Sequence, residues 1–91
     1  MTDEQRIVHF YGEVQGVGFR YTACRTALGH EITGYVRNLP DGRVECVVEG
    51  DCEQIDAFVD ELRHRMGHYV RETHQQKAPL SGEFAGFTVR Y

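Results

Sequence analysis

Hydrophobic and polar positions change period several times along the chain, and each change marks an element. Residues 6–14, Arg-Ile-Val-His-Phe-Tyr-Gly-Glu-Val, gather β-branched and aromatic side chains and end at a glycine-rich stretch. That is the pattern of a strand entering a loop, with Val8 and Phe10 facing inward. From Arg20 to His30, the residues Tyr21, Cys24, Ala27 and Leu28 recur at helical spacing and predict a short amphipathic helix. Strand character returns over Ile32 to Asn38, stops at the turn sequence Leu39-Pro40-Asp41-Gly42, and resumes over Arg43 to Glu49 as the second arm of a β-hairpin. Gly50 breaks that strand. Asp51, with Gln54 three residues on, resembles a capping box, and Ile55, Phe58, Val59, Leu62 and Met66 form the apolar stripe of a second helix. Its acidic beginning, Arg63 and Arg65 near its end, and Gly67 after them suit the helix dipole and a left-handed C-cap. His68 to Thr73 reads as a fourth strand, His74 to Pro79 as a polar loop, and Phe84 to Tyr91 as a last strand.

Strand, helix, strand, strand, helix, strand, plus a short terminal strand, is an α+β order built from two split βαβ units. It predicts a ferredoxin-like βαββαβ sandwich: an antiparallel sheet, two helices on one face, and a short extra C-terminal strand. Residues 1–91 are read as a single domain. In this plan the first and second strands run parallel with the third between them, so their C-terminal ends share one edge of the sheet. The loop from Gly12 to Phe19, the helix start at Arg20, and Asn38 then fall in one neighbourhood.

Composition narrows the function without selecting it. Ten Lys and Arg against 14 Asp and Glu leave a net charge of -4, which disfavours wide nonspecific binding to nucleic acid or an acidic membrane. No apolar run approaches the ~20 residues of a membrane span, and the start Met-Thr-Asp-Glu-Gln-Arg carries no signal-peptide core, so a cytoplasmic location is expected. Cys24, Cys46 and Cys52 are an odd set without CxxC spacing, and are read as reduced and mostly packed. His64 and His68 stand at i, i+4, but Gly67 falls between them and no HExxH is present, so no metal site is assigned. A chain of this size is expected to be a monomer.

The glycine-rich junction is where chemistry concentrates. Gly12, Gly16 and Gly18 permit backbone conformations that other residues resist, and a strand-loop-helix junction turns free N–H groups into a concavity that suits an anion. Arg20 sits in the first helical turn, where the dipole disfavours a cation unless an anion is bound. Its guanidinium can meet two oxygens of a phosphate or carboxylate in one plane. The bland alternative is a tight turn, with Arg20 paired to Glu13 or Glu31. A nucleoside triphosphatase is disfavoured, because no Gly-Lys-Ser or Gly-Lys-Thr follows the glycines.

Gly12-Glu13-Val14-Gln15-Gly16-Val17-Gly18-Phe19-Arg20 resembles the G-x-V-Q-G-V-G-F-R signature of acylphosphatases. Gly34-Tyr35-Val36-Arg37-Asn38-Leu39-Pro40-Asp41-Gly42 resembles that family's second signature, G-x-V-x-N-x-x-D-G, and Phe87-Thr88-Val89-Arg90-Tyr91 resembles its usual ending. The similarity covers essentially the whole chain. It departs where the first helix ends, with His30-Glu31-Ile32 in place of a Leu-Gly-Leu-like segment and Gly29 two residues early.

The resemblance implies an enzyme that hydrolyses the carboxyl-phosphate bond of small acyl phosphates, with no cofactor and no metal. It implies that Arg20 and the backbone of Gln15, Gly16, Val17, Gly18 and Phe19 bind phosphate, and that Asn38 orients the attacking water. The chemistry agrees: a carboxylate leaves without a proton donor, so no general acid is needed. Phosphoryl transfer relies on in-line placement and on stabilising charge at the equatorial oxygens. Asp41 and Gly42 are read as turn residues. The alternative function is a noncatalytic acyl- or carbamoyl-phosphate-binding module, like the acylphosphatase-like domain of hydrogenase-maturation carbamoyltransferases. A ferredoxin-like RNA-binding module is disfavoured by the acidic charge and by the lack of an RNP1 pattern after Phe19.

Overall fold

The computed structural model describes residues 3–91. Strand β1 covers Asp3–Gly12, helix α1 Phe19–Ala27, strand β2 Ile32–Asn38, strand β3 Val44–Asp51, helix α2 Cys52–Met66, strand β4 Val70–Ala78 and strand β5 Phe87–Val89. A 3-10 turn at Gly67–Tyr69 precedes β4. The strands form one sheet in the order β4-β1-β3-β2-β5. β3 is antiparallel to both β1 and β2, which therefore run parallel on either side of it. This is the predicted α+β ferredoxin-like plan, and the cross-strand row Phe10, Val44, Asn38 sets the ends of β1 and β2 level with each other.

Alternation along the strands decides which face is buried. Val8 and Phe10 of β1, Val36 of β2, and Val44, Cys46 and Val48 of β3 are fully enclosed, in one apolar cluster with Ile55, Phe58, Val59 and Leu62 of α2. Each such side chain contributes about 1.5–3 kcal/mol when buried, so this layer holds helices and sheet together. The α2 stripe is buried as predicted, down to Met66. Asp51 caps that helix by accepting from Glu53 N at 3.3 Å, while the Gln54 side chain accepts from Glu31 N at 3.0 Å instead of completing a capping box. All three cysteines are free thiols; burial pushes Cys46 and Cys24 above the usual thiol range.

Helix α1 keeps only part of its predicted phase: Ala27 is buried and Cys24 packs against the core, but Tyr21 and Leu28 do not. Phe19, Ala23, Thr26 and Ala27 are buried, whereas Tyr21 is 71% and Leu28 79% exposed. Phe19 sets the phase by packing on Phe10 with ring centres 4.9 Å apart. The small residues Ala23 and Ala27 let the helix lie close to the sheet. The helix also stops at Ala27 rather than His30, because the N–H groups of Leu28, Gly29 and His30 bond three residues back and tighten the last turn.

The C-terminal third differs in two ways. β4 begins at Val70 and runs on to Ala78, through residues read as a loop. It is an edge strand whose ladder with β1 is made by the backbone, so His74, Gln75 and Gln76 stay polar and exposed, although Gln75 Oε1 accepts from Arg6 Nη1 at 3.1 Å and His74 lies against the Tyr11 ring. β5 is confined to Phe87–Val89 and pairs parallel to β2, making the sheet mixed rather than wholly antiparallel. Since β4 and β5 occupy opposite edges, residues 79–86 pass from one side of the sheet to the other.

Glu49 pins that crossing on the face away from the helices. Its buried carboxylate accepts from Gln5 Nε2 at 2.7 Å, Ser81 N at 2.8 Å, Ser81 Oγ at 2.7 Å and Gly82 N at 2.9 Å. Burial alone would raise its pKa, but these donors outweigh burial and hold it below the usual carboxylate value. The stabilisation is therefore complete above the unfolded glutamate value of about 4.3 and is lost as pH falls through the lower folded value. Glu49→Gln turns an NH2 group toward these donors and is expected to destabilise by about 1–3 kcal/mol at neutral pH. Urea unfolding should show that difference shrinking at acid pH; a pH-independent difference would contradict the account.

Candidate functional site

β1 leaves the sheet at an irregularity between Tyr11 and Gly12, and Glu13 N donates to Tyr69 O at 3.0 Å, which turns the chain toward α1. Val14 and Phe19 are buried at the two ends of the ensuing loop. Between them Gln15, Gly16 and Gly18 are exposed, and Val17 rests against the core. Two apolar anchors thus fix the shape of a polar loop.

Gly16 and Gly18 both have φ 78, and Gly18 is the N-cap of α1. Left-handed backbone costs a residue with a side chain about 1–2 kcal/mol. The space a Cβ would enter is open at both positions, so backbone conformation, not crowding, requires glycine there. Among the described residues, the N–H groups of Gln15 to Phe19 donate to no carbonyl. The first helical bond is Thr22 N to Gly18 O at 3.0 Å, leaving the N-terminal turn with free donors at its positive end.

Arg20 is half-buried on this first turn. The alternative pairings do not occur: Glu13 lies against Arg71 at 3.5 Å, and Arg20 forms no ion pair among the described residues. Its guanidinium carbon is 5.3 Å from the ring centre of Tyr91. Arg90 N donates to Val36 O at 2.9 Å, so Tyr91 continues along β2 in the direction of Asn38 and draws Arg20 to the same corner. Nothing in the periodicity of the last residues signals this placement of Tyr91.

Asn38 is the last residue of β2 and shares the helix-side face with Val36. Its Oδ1 is enclosed without a hydrogen-bond partner, as is Thr73 Oγ1, the other such atom among the described residues. An unpaired buried acceptor costs about 1–3 kcal/mol, and a half-turn about Cβ–Cγ exchanges it with the amide nitrogen. Arg37, next to Asn38, points to the opposite face and pairs with Glu45 at 2.8 Å. Burial would raise the Glu45 pKa, but His9 and Arg37 lower it below the usual carboxylate range. Asp41 holds the turn after Asn38, accepting from Arg43 N at 3.1 Å and Arg43 Nε at 2.8 Å.

The predicted residues therefore stand in two groups brought together at the level ends of β1 and β2. Gly16, Gly18 and Arg20 offer free donors and a cation. Val17 and Phe19 fasten the loop to the core, and the Gln15 side chain reaches the turn at Leu39 and Arg43. That reach is not signalled by the motif spacing. The corner can hold an oxyanion and position a neutral hydrogen-bonding molecule beside it.

Comparison with known proteins gives a consistent result. The family model described as Acylphosphatase matches residues 6–89. An acylphosphatase of Methylococcus capsulatus is 45% identical over 84 residues, covering 86% of each chain. The crystal structure of acylphosphatase from Bacillus subtilis superposes with a TM-score of 0.85 at 29% identity, covering 99% of this chain and 100% of that one. HypF of T. kodakarensis is similar with a TM-score of 0.83 at 33% identity over 97% of this chain, which is 12% of that protein.

Proposed function

The chain belongs to the acylphosphatase family of hydrolases, and from that premise we propose how its corner residues divide the work of splitting an acyl phosphate. The phosphoryl group sits at the N-terminal turn of α1, held by the N–H groups of Gln15, Gly16, Val17, Gly18 and Phe19 and by the Arg20 guanidinium. A half-turn of the Asn38 amide brings Oδ1 out of its enclosed position, where it accepts a hydrogen bond from water and holds it in line with the phosphorus-acyl oxygen bond. The water oxygen bonds to phosphorus as that bond breaks. The carboxylate departs with the bonding electron pair, and the protons of water go to the phosphate product and solvent. A carboxylate is a weak base, so its departure needs no acid.

The observation that carries this assignment is Arg20 itself: a cation on the positive end of a helix, among free N–H donors, with no ion-pair partner among the described residues. Left empty, that arrangement is unfavourable by some ~0.3–1 kcal/mol; a bound phosphoryl group reverses the sign. The catalyst is read as a cytoplasmic monomer that needs no metal, because guanidinium and backbone donors already supply positive charge to the equatorial oxygens.

Release of phosphate from benzoyl phosphate in the presence of a chelator tests this directly. Rapid chelator-resistant turnover is expected. A folded protein that binds inorganic phosphate without turnover would instead support a noncatalytic acyl- or carbamoyl-phosphate-binding module, a reading favoured by the recurrence of this fold as a small part of HypF. Gly18→Val, which forces a β-branched residue into left-handed backbone, is expected to weaken phosphate binding by roughly tenfold. Calorimetric titration with inorganic phosphate checks this, and unchanged affinity would show that the loop needs no glycine there.

A further inference from the structure

The Gln15 side-chain nitrogen donates to Leu39 O at 2.8 Å and to Arg43 O at 3.0 Å. Those carbonyls belong to the pair that closes the turn between β2 and β3, where Leu39 N donates to Arg43 O at 2.9 Å and Gly42 N to Leu39 O at 3.1 Å. Asn38 and Val44 are the next pair inward on the same ladder. One amide therefore fastens the anion loop to the turn immediately beside Asn38. Only an NH2 group can donate to two carbonyls, so the amide orientation is fixed by its partners and both its hydrogens are used. Among the described residues, no backbone hydrogen bond joins residues 15–18 to residues 39–43.

We propose that Gln15 is a positioning residue for hydrolysis, holding the Asn38 turn at a set offset from the phosphate loop so that the oriented water lies in line with the bond to be broken. This rests on the roles assigned above to the loop and Asn38. In-line displacement tolerates little lateral error: a misplacement of ~1 Å can reduce rate about a hundredfold. The link is solvent-exposed and adds little to folding stability, so its removal is read in kcat.

Gln15→Leu and Gln15→Glu are compared with the parent for kcat and KM on benzoyl phosphate and for inhibition by inorganic phosphate, across mildly acid to neutral pH. Gln15→Leu is expected to lower kcat by roughly tenfold with phosphate inhibition unchanged. Gln15→Glu sets a carboxylate against two carbonyls at neutral pH. Protonation gives it an O–H that can donate to one of them, and the carbonyl dipoles raise its pKa above about 4.3. The kcat of Gln15→Glu relative to Gln15→Leu should therefore rise as pH falls. An unchanged kcat in Gln15→Leu, an equal loss of kcat and phosphate affinity, or no acid recovery in Gln15→Glu would each overturn the proposal. Amide exchange at Leu39 and Gly42 separates this from the activity itself. It should quicken in Gln15→Leu even if the parent proves inactive, and unchanged exchange overturns the link whatever the turnover.

Discussion

Asn38→Ala is expected to lower kcat for benzoyl phosphate by about two to three orders of magnitude while inorganic phosphate still binds. The backbone pairing of residue 38 with Val44 does not depend on its side chain, so β2 and the turn should survive the change. What disappears is the amide that holds water opposite the leaving carboxylate. In either orientation the amide leaves one polar atom enclosed without a partner, so its removal should leave the folded state as stable as the parent or more stable by up to ~1 kcal/mol. Activity and stability then move in opposite directions, a signature that general damage to the fold cannot mimic. Turnover, phosphate inhibition and urea unfolding on one preparation decide the matter; a kcat close to the parent's would remove Asn38 from the mechanism.

Arg20→Ala is expected to behave differently, losing phosphate affinity and turnover together, with kcat/KM reduced by about a thousandfold or more. Truncation breaks no ion pair within the described residues, and it takes a cation away from the positive end of α1. The ligand-free protein should therefore keep its Tm, relief at the helix end offsetting the lost Tyr91 contact, whereas the rise in Tm that phosphate gives the parent should vanish. Arg20→Lys should restore charge but not the planar two-point grip, and recover only part of the loss. Retained phosphate-dependent stabilisation in Arg20→Ala would place the anion elsewhere.

The sequence made α2 legible because Ile55, Phe58, Val59, Leu62 and Met66 are large and strictly periodic. It misled about the phase of α1 because Ala23 and Thr26 of the buried face carry little hydrophobic signal and Phe19 reads as part of the preceding loop, while the exposed Tyr21 and Leu28 carry more. The strand expected from His68 to Thr73 is the first part of β4, but its continuation from His74 to Ala78 was hidden for a related reason: an edge strand exposed along much of its length shows no alternation. The neighbourhood of the candidate site followed from topology, since parallel β1 and β2 must end at the same edge. Its long-range links did not. Gln15 meets Leu39 and Arg43, and Tyr91 meets Arg20, through side-chain reach that no periodicity records.

The crossing that carries the chain to β5 also has a kinetic meaning. Gly34 pairs with Phe87, so more than half the chain lies inside the loop that this contact closes. Ordering so long a loop is offset by only a three-residue strand, whereas β4, with a similarly distant partner, has nine residues over which to recover the entropy. β5 is therefore expected to dock after the rest of the sheet and to be the first segment to fray. Arg90 and Tyr91 follow it directly, so the aromatic neighbour of Arg20 arrives at the last step of folding and leaves at the first step of local opening.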